Sequence, residues 1–247
     1  IKKILFLGGS KQQYSIISLA KKKKYYVIIC DANSHCHGKK YADKFFNVSI
    51  TNKLQILKIA KQEKISAIIS YASELGALTQ SFVANKLKLP TNKLKSIEIL
   101  IFKNKFRSFL KKNKFFVPKF KAFKNFNDLK LYLKNKSNYH IIKPIDSAGS
   151  RGVFKINNKN LPKLKKNFLI SKKFSKKNKV ISEKYIKTDL PQIAGDAIIL
   201  NKKIIFSHWG DQYYDKTINP LLPIGESWPS SHNEINIFFL EKELNRL

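Results

Sequence analysis

Residues 140–153, HIIKPIDSAGSRGV, carry the clearest chemical signal in the chain. Two isoleucines predict a short buried strand that would hold Lys143 in a fixed position. Gly149 and Gly152 then leave the backbone free to turn its N–H groups toward an anion. A lysine beside such a loop is suited to binding polyphosphate, whereas the alternative is an ordinary β-hairpin with a surface lysine.

Two flanking segments provide the context for this phosphate-binding pattern. Upstream, residues 104–120 show an amphipathic pattern that predicts a helix, stopped by Pro118 and followed by an extended segment. Downstream, residues 180–186, VISEKYI, predict a short strand with Glu183 in an otherwise apolar or basic setting. A basic residue on a helix, a lysine before a Gly/Ser loop, and Glu-Lys-Tyr-Ile on a strand occur in this order. Together they resemble the ATP-grasp family.

The resemblance implies an ATP site whose residues can be assigned one by one. Lys105 corresponds to the basic residue that contacts the α- and β-phosphates, and Lys143 to the second phosphate lysine. Glu183 corresponds to the acid that accepts from the adenine amino group. The other expected ATP-binding residues form the mobile loop over the β- and γ-phosphates and the hinge that binds the adenine edge: Ser147, Gly149, Ser150, Gly152, Lys184, Tyr185 and Ile186.

The ribose contact departs from the family pattern. Where the family has a glutamate for the ribose hydroxyls, Gln192 stands in this chain. Asp189 is the substitute that the resemblance leaves for this role.

The magnesium ligands of the family, an acid and then a Glu-x-Asn motif, are also missing from the expected place. A Glu-x-Asn occurs at residues 243–245, but apolar residues recur at helical spacing through residues 234–247. On a helix, two residues that are two apart face different directions and cannot share an ion. We therefore expect the Mg²⁺ ligands to lie beyond Leu247, in a longer protein, and assign no metal residue.

Residues 1–101 are predicted to form a separate domain. Apolar runs alternate with helical patterns in this order: strand 3–7, helix 12–23, strand 25–30, helix 54–62, strand 67–70 and helix 74–87. Such alternation predicts a parallel, doubly wound sheet. The expected fold class is α/β, with an N-terminal Rossmann-like parallel-sheet domain before a partial ATP-grasp α+β domain. The resemblance places that second domain at residues 102–247 and its lid subdomain at roughly residues 115–184.

A Gly8-Gly9 turn with an acid, Asp31, after the second strand also suggests dinucleotide binding. The G-x-G-x-x-G fingerprint is absent, because no third glycine lets the helix and the strand approach each other. Nicotinamide binding is therefore disfavoured. In the ATP-grasp family a domain of this kind helps to shape the acceptor site.

Three further segments carry polar or aromatic residues without a clear role. Residues 31–37, DANSHCH, have donor atoms suited to zinc, but no second cluster completes a closed site, so we interpret them as a loop. Residues 203–206 predict a strand, and His208, Trp209 and Asp211 are expected in the loop that follows, with another apolar loop at residues 219–229.

The formal charge of +33 comes from 49 Lys and Arg residues against 16 Asp and Glu residues. Three of the basic residues are Arg, which leaves 46 Lys, and these are spread along the chain. Arg is the residue that binds bases and phosphates in bidentate fashion, and nucleic-acid sites concentrate their charge on one face. We therefore expect no specific nucleic-acid partner, although the charge should attract anionic ligands such as ATP.

Hydropathy and cysteine content bear on the compartment. No apolar run reaches the ~18 residues that a membrane span needs, and residues 1–7 are too short for a signal peptide. Cys30 and Cys36 suit a reducing compartment. These features predict a cytoplasmic protein without a membrane partner.

The resemblance implies an ATP-dependent ligase that uses ATP and Mg²⁺. Such an enzyme activates a small carboxylate as an acyl phosphate, which an amine or another nucleophile attacks, and it releases ADP and phosphate. No side chain has to act as a catalytic nucleophile, and a homodimer is compatible with this chemistry. The alternative, from another functional class, is a non-catalytic module that binds nucleotides or other anions.

Overall fold

The structure, a computed structural model, describes residues 1–136, 139–157, 159–188, 190–215, 217 and 221–247. Two compact units divide the chain, the first at Ile1–Phe106 and the second at Arg107–Leu247. In the described ranges, no helix combines the length and the hydrophobicity needed to cross a bilayer. Each unit has its own sheets and its own core, so each is described by itself.

The first unit is a four-stranded parallel sheet with helices on both faces. Its strands are β1 (Lys3–Leu7), β2 (Tyr26–Asp31), β3 (Lys44–Asn47) and β4 (Ala67–Ile69), in the spatial order β3-β2-β1-β4. The helices are α1 (Tyr14–Lys22), α2 (Lys53–Gln62), α3 (Glu74–Lys86) and α4 (Leu94–Ile101). Leu5 and Leu7 pack in one core cluster, and Ile4 and Phe6 pack in the other. Because both faces are covered, the strands are almost wholly apolar, and the predicted parallel α/β architecture is confirmed.

The acid at the end of β2 serves the turn after β1. Asp31 Oδ2 accepts a hydrogen bond from the Gly9 N–H at 2.8 Å, and Asp31 Oδ1 accepts one from the Asn33 N–H at 2.8 Å. Both carboxylate oxygens are thus engaged by the backbone. This is a structural role, and it does not require a ribose hydroxyl as partner.

The second unit contains two antiparallel sheets. Four strands, β5 (Phe120–Phe123), β6 (His140–Pro144), β7 (Phe154–Ile156) and β8 (Val180–Lys184), lie in the order β5-β8-β6-β7. Three strands, β9 (Gln192–Leu200), β10 (Lys203–Tyr214) and β11 (Pro223–Ser227), lie in the order β11-β10-β9. The helices are α5 (Lys103–Lys112), in which the division between the units falls, α6 (Phe126–Leu133), α7 (Leu161–Lys173) and α8 (Glu234–Arg246).

Two expectations about local structure are wrong. Helix α5 ends at Lys112 rather than near Pro118, because Lys114 adopts a left-handed φ of 60° that ends the helical repeat. His208, Trp209 and Asp211 do not follow a short strand but continue β10, because their backbone pairs with β9. Part of the expected loop 219–229 forms β11, whereas residues 219 and 220 lie outside the described residues.

One face of the four-stranded antiparallel sheet packs against α6 and α7. Ile142 and Val180 from the strands meet Leu164 and Phe168 from α7, and each of these side chains is at most 2% exposed. Successive residues of a strand point to opposite faces of the sheet. Because Val180 faces this core, Glu183, three residues later on β8, lies on the opposite face of the sheet.

Leu164→Ala should lower the free energy of unfolding by about 2–5 kcal/mol, because it leaves a cavity in this core. Leu169→Ala is the matched control, since Leu169 lies on the same helix but is 53% exposed. The control should change the free energy by less than about 0.5 kcal/mol. Urea denaturation followed by circular dichroism measures both, and equal effects would contradict the packing of α7 described here.

Candidate functional site

A buried carboxylate lies between two cations on the sheet face opposite that core. Glu183 of β8 pairs in register with Ile141 of β6, and Lys143 follows two residues later on the same face. Lys143 Nζ donates to Glu183 Oε2 at 2.9 Å. Arg107 of α5 donates from Nε to Oε1 at 3.0 Å and from Nη2 to Oε2 at 3.3 Å. We call Arg107, Lys143 and Glu183 the ion cluster.

The ion cluster carries a net charge of +1 in a largely buried place. The side chains of Arg107, Lys143 and Glu183 are 23%, 17% and 7% exposed. Burial raises the pKa of Glu183, but the charges and hydrogen bonds of Lys143 and Arg107 outweigh burial and hold that pKa below its ordinary value. Glu183 is therefore ionised at neutral pH, and the two cations that surround it favour binding of an anion.

The loop that follows Lys143 is held by packing at Gly152 and is open at its tip. Residues 147–152 connect β6 and β7, which pair as an antiparallel hairpin. Gly152 has φ +71°, lies against Pro144 and Phe174, and its carbonyl accepts from Ser171 Oγ at 2.6 Å. Gly149 has φ +65° and open space around its Cα. The tip can thus reorient, whereas the base is held by packing.

Asp146 anchors the other end of the loop. It is 8% exposed, and its Oδ2 accepts from the backbone N–H of Lys177 at 3.1 Å. The second carboxylate oxygen, Oδ1, is buried without a hydrogen-bond partner in the described part of the chain. A buried, unsatisfied acceptor is costly, so this oxygen has the capacity to accept a further hydrogen bond.

No family model matches the chain. Two curated proteins match, the formate-dependent phosphoribosylglycinamide formyltransferases of two strains of Prochlorococcus marinus, each 26% identical over 191 residues. The match covers 76% of this chain and 49% of each relative. The chain thus spans about half the length of the curated relatives that it matches.

Solved structures match nearly the whole chain. N5-carboxyaminoimidazole synthetase from Staphylococcus aureus, complexed with ADP, has a TM-score of 0.79 at 16% identity, covering 99% of this chain and 62% of that one. L-amino acid ligase from Bacillus licheniformis has a TM-score of 0.74 at 17% identity, covering 100% and 59%. The biotin carboxylase domain dimer of Hydrogenobacter thermophilus 2-oxoglutarate carboxylase, with MgADP and bicarbonate, has a TM-score of 0.75 at 17% identity, covering 99% and 57%. The chain therefore has the fold of these ATP-grasp structures.

Within the ATP-grasp fold, the structure brings Lys143 and Glu183 together and adds Arg107 to them. Lys105 lies instead in an ion pair with Glu98, with its Nζ 2.6 Å from Glu98 Oε2, and both side chains are exposed. Sequence reasoning missed Arg107. Arg107 lies three residues before Leu110 on the half-buried stripe of α5, whereas Lys105 lies at an exposed position, and the sequence alone does not show which side of the helix is buried.

The expected hinge of the ATP-grasp fold follows directly after β8. The Lys184 N–H donates to the Lys119 carbonyl at 2.8 Å, and the Tyr185 N–H donates to the Tyr139 carbonyl at 2.9 Å. Ile186 is 55% exposed. Two other segments of the chain thus hold the backbone here, while the side chain of Ile186 stays accessible.

The two residues expected near the ribose lie further along the chain. Gln192 begins β9, and its Oε1 accepts from the Tyr214 hydroxyl at 2.8 Å. Asp189 lies outside the described residues. The ribose assignment therefore stays a prediction.

The described residues contain no group of three His, Cys, Asp or Glu side chains that could hold a metal ion. The Glu-x-Asn at residues 243–245 lies in α8, as its helical spacing predicts. Glu243 forms an ion pair with Arg246, and Asn245 Nδ2 donates to the Glu241 carbonyl at 3.0 Å. These side chains serve the helix and do not fit a magnesium site.

Glu183→Gln should lower the free energy of unfolding at pH 7 by about 3 kcal/mol, because two partly buried cations lose their counter-charge. The folded-state pKa of Glu183 is lowered, so its contribution is complete above the ordinary glutamate pKa of 4.5. The contribution should fade as the pH falls from there through the lowered pKa. Wild type and variant should therefore converge in stability in acid, as measured by denaturation at several pH values.

Glu98→Gln is the control for this substitution. Glu98 pairs with Lys105 on the exposed surface, where an ion pair contributes less than about 1 kcal/mol. A Glu183→Gln variant that is as stable as Glu98→Gln at pH 7 would contradict the ion cluster.

Proposed function

We propose that this chain binds ATP through the ion cluster and the loop 147–152, as the nucleotide half of an ATP-dependent ligase. The observation that carries the proposal is the ion cluster itself, in which β6, β8 and α5 hold two cations around one carboxylate, with Lys143 four residues before the loop 147–152. The ADP and MgADP in the structures from Staphylococcus aureus and Hydrogenobacter thermophilus support it.

Lys143 and Glu183 have hydrogen-bonding capacity left for a ligand. The Lys143 ammonium has three hydrogens, and one of them is directed to Glu183, so it can also donate to phosphate oxygens. Glu183 receives three hydrogen bonds and has about four acceptor positions, so one can accept from the adenine amino group. Glu183 would therefore orient Lys143 and Arg107 as well as contact the nucleotide.

The proposed reaction transfers the γ-phosphoryl group of ATP to a carboxylate oxygen. The resulting acyl phosphate is attacked by an amine or another nucleophile, which releases phosphate. Negative charge spreads over the transferring group, and Lys143, Arg107 and the N–H groups of residues 147–152 can compensate it. No protein side chain needs to be the nucleophile, and no step is assigned to a metal held by the described residues.

The solved structures and the cysteines support a substrate class, an assembly and a compartment for this proposal. The bicarbonate in the Hydrogenobacter structure supports a small carboxylate-like substrate, and the dimer in that structure supports a homodimer. The MgADP there supports the use of Mg²⁺ by the complete active site. Cys30 and Cys36 are both free thiols, which supports a cytoplasmic location.

Lys143→Met should weaken ATP binding roughly ten- to hundredfold, because a charge-assisted contact worth about 1.5–3 kcal/mol is lost. Adenosine lacks phosphates and should bind the chain and the variant equally. Lys121→Met, at an exposed position of β5, is the matched control and should bind ATP like the wild type. Calorimetry measures all three, and unchanged ATP binding by Lys143→Met would remove Lys143 from the site.

The products distinguish a ligase from a binding module. With its carboxylate and nucleophile, the protein that carries this chain should release ADP and phosphate. Isotopic oxygen in the carboxylate should appear in that phosphate, because the carboxylate attacks the γ-phosphorus. Mass spectrometry detects the label. AMP as the product would exclude this mechanism, and ATP binding without turnover over a panel of carboxylates would favour the non-catalytic module.

A further inference from the structure

A cavity lined by hydrogen-bond donors lies at the edge of the four-stranded antiparallel sheet. It has a volume of about 420 Å³ and lies between the end of β7 and the first turns of α7. Its polar lining consists of Tyr139, Lys155, Asn157, Asn160, Lys163 and Asn167. None of these side chains is acidic, whereas two are cationic and three are amides. An anion is the ligand that such a lining favours.

Asn167 indicates that the cavity is built for a ligand. Its side chain is 8% exposed, lines the cavity, and makes no hydrogen bond with any of the residues that the structure describes. Its amide group is therefore available to a ligand in the cavity. Asn160 differs, since its Oδ1 accepts from the Lys163 N–H at 3.0 Å and caps α7.

The positive charges of the two lysines that line the cavity are available to a ligand. Lys155 Nζ lies 4.6 Å from the ring centroid of Tyr139 and 4.0 Å from that of Tyr185, so two aromatic faces position it without neutralising it. In the described part of the chain, neither Lys155 nor Lys163 forms a salt bridge. Lys163 also lies in the first turn of α7, where the helix dipole favours an anion.

We infer that this cavity binds a small oxyanion of the phosphate class. Lys155 and Lys163 supply two charges for a dianion, and the Asn167 amide supplies a donor at the cavity wall that has no partner within the described chain. The site is distinct from the ion cluster, because neither Arg107 nor Glu183 lines the cavity. It is an addition to the proposed ATP site, and it does not depend on ATP binding or on ligase activity.

Titration of the chain with inorganic phosphate tests this site. The side-chain amide signal of Asn167 in nuclear magnetic resonance spectra should shift and saturate. The double variant Lys155→Gln/Lys163→Gln should weaken phosphate binding at least roughly tenfold, since charge-assisted contacts are lost. The double variant Lys166→Gln/Lys173→Gln removes the same charge from exposed positions of α7 and should leave the affinity unchanged.

Asn167→Leu removes the buried amide and keeps the size of the side chain. With a circular dichroism spectrum like that of the wild type, it should also weaken phosphate binding roughly tenfold or more. A shift that never saturates, or equal losses in the two lysine double variants, would overturn the inference. Either result would mean that phosphate is only drawn to the general charge of +33.

Discussion

The charged face of the second unit depends on one interaction, the pairing of Glu183 with Lys143 and Arg107. Glu183 is 5% exposed and lies on β8, the strand that pairs with both β5 and β6. A carboxylate in this place is tolerated only because two cations compensate it, and removing either partner would leave charge buried. The same contacts fix where those cations can meet an anion. The contacts that stabilise this face are therefore the same ones through which we propose that the nucleotide binds.

Tyr185 connects this charged face with the edge of the sheet. Its N–H donates to the Tyr139 carbonyl at 2.9 Å, and its ring carries the Lys155 ammonium at 4.0 Å. The backbone of Tyr185 thus belongs to the hinge expected to contact adenine, whereas its ring contacts a lysine that lines the cavity inferred to bind an oxyanion.

Local sequence patterns predict much of the site, but not all of it. Lys143 and Glu183 were predictable because short apolar strands place them and antiparallel pairing aligns the strands. Choosing Arg107 over Lys105 requires knowing which side of α5 is buried, and tertiary packing decides that. The β9–β10 hairpin was hidden because Asn201 and Lys202 adopt left-handed φ values of 50° and 65° without the glycine that usually marks such a turn.

The three-stranded sheet contains an intrinsic optical probe of the second unit. The chain has two tryptophans. Trp209 of β10 donates from Nε1 to Glu241 of α8 at 2.9 Å, and Trp228, directly after β11, stacks near His208 with ring centroids 5.7 Å apart. Both indoles thus report on the second unit, whereas the first unit contributes only tyrosine emission. Excitation at the red edge of the absorption band therefore follows one unit selectively, without a label.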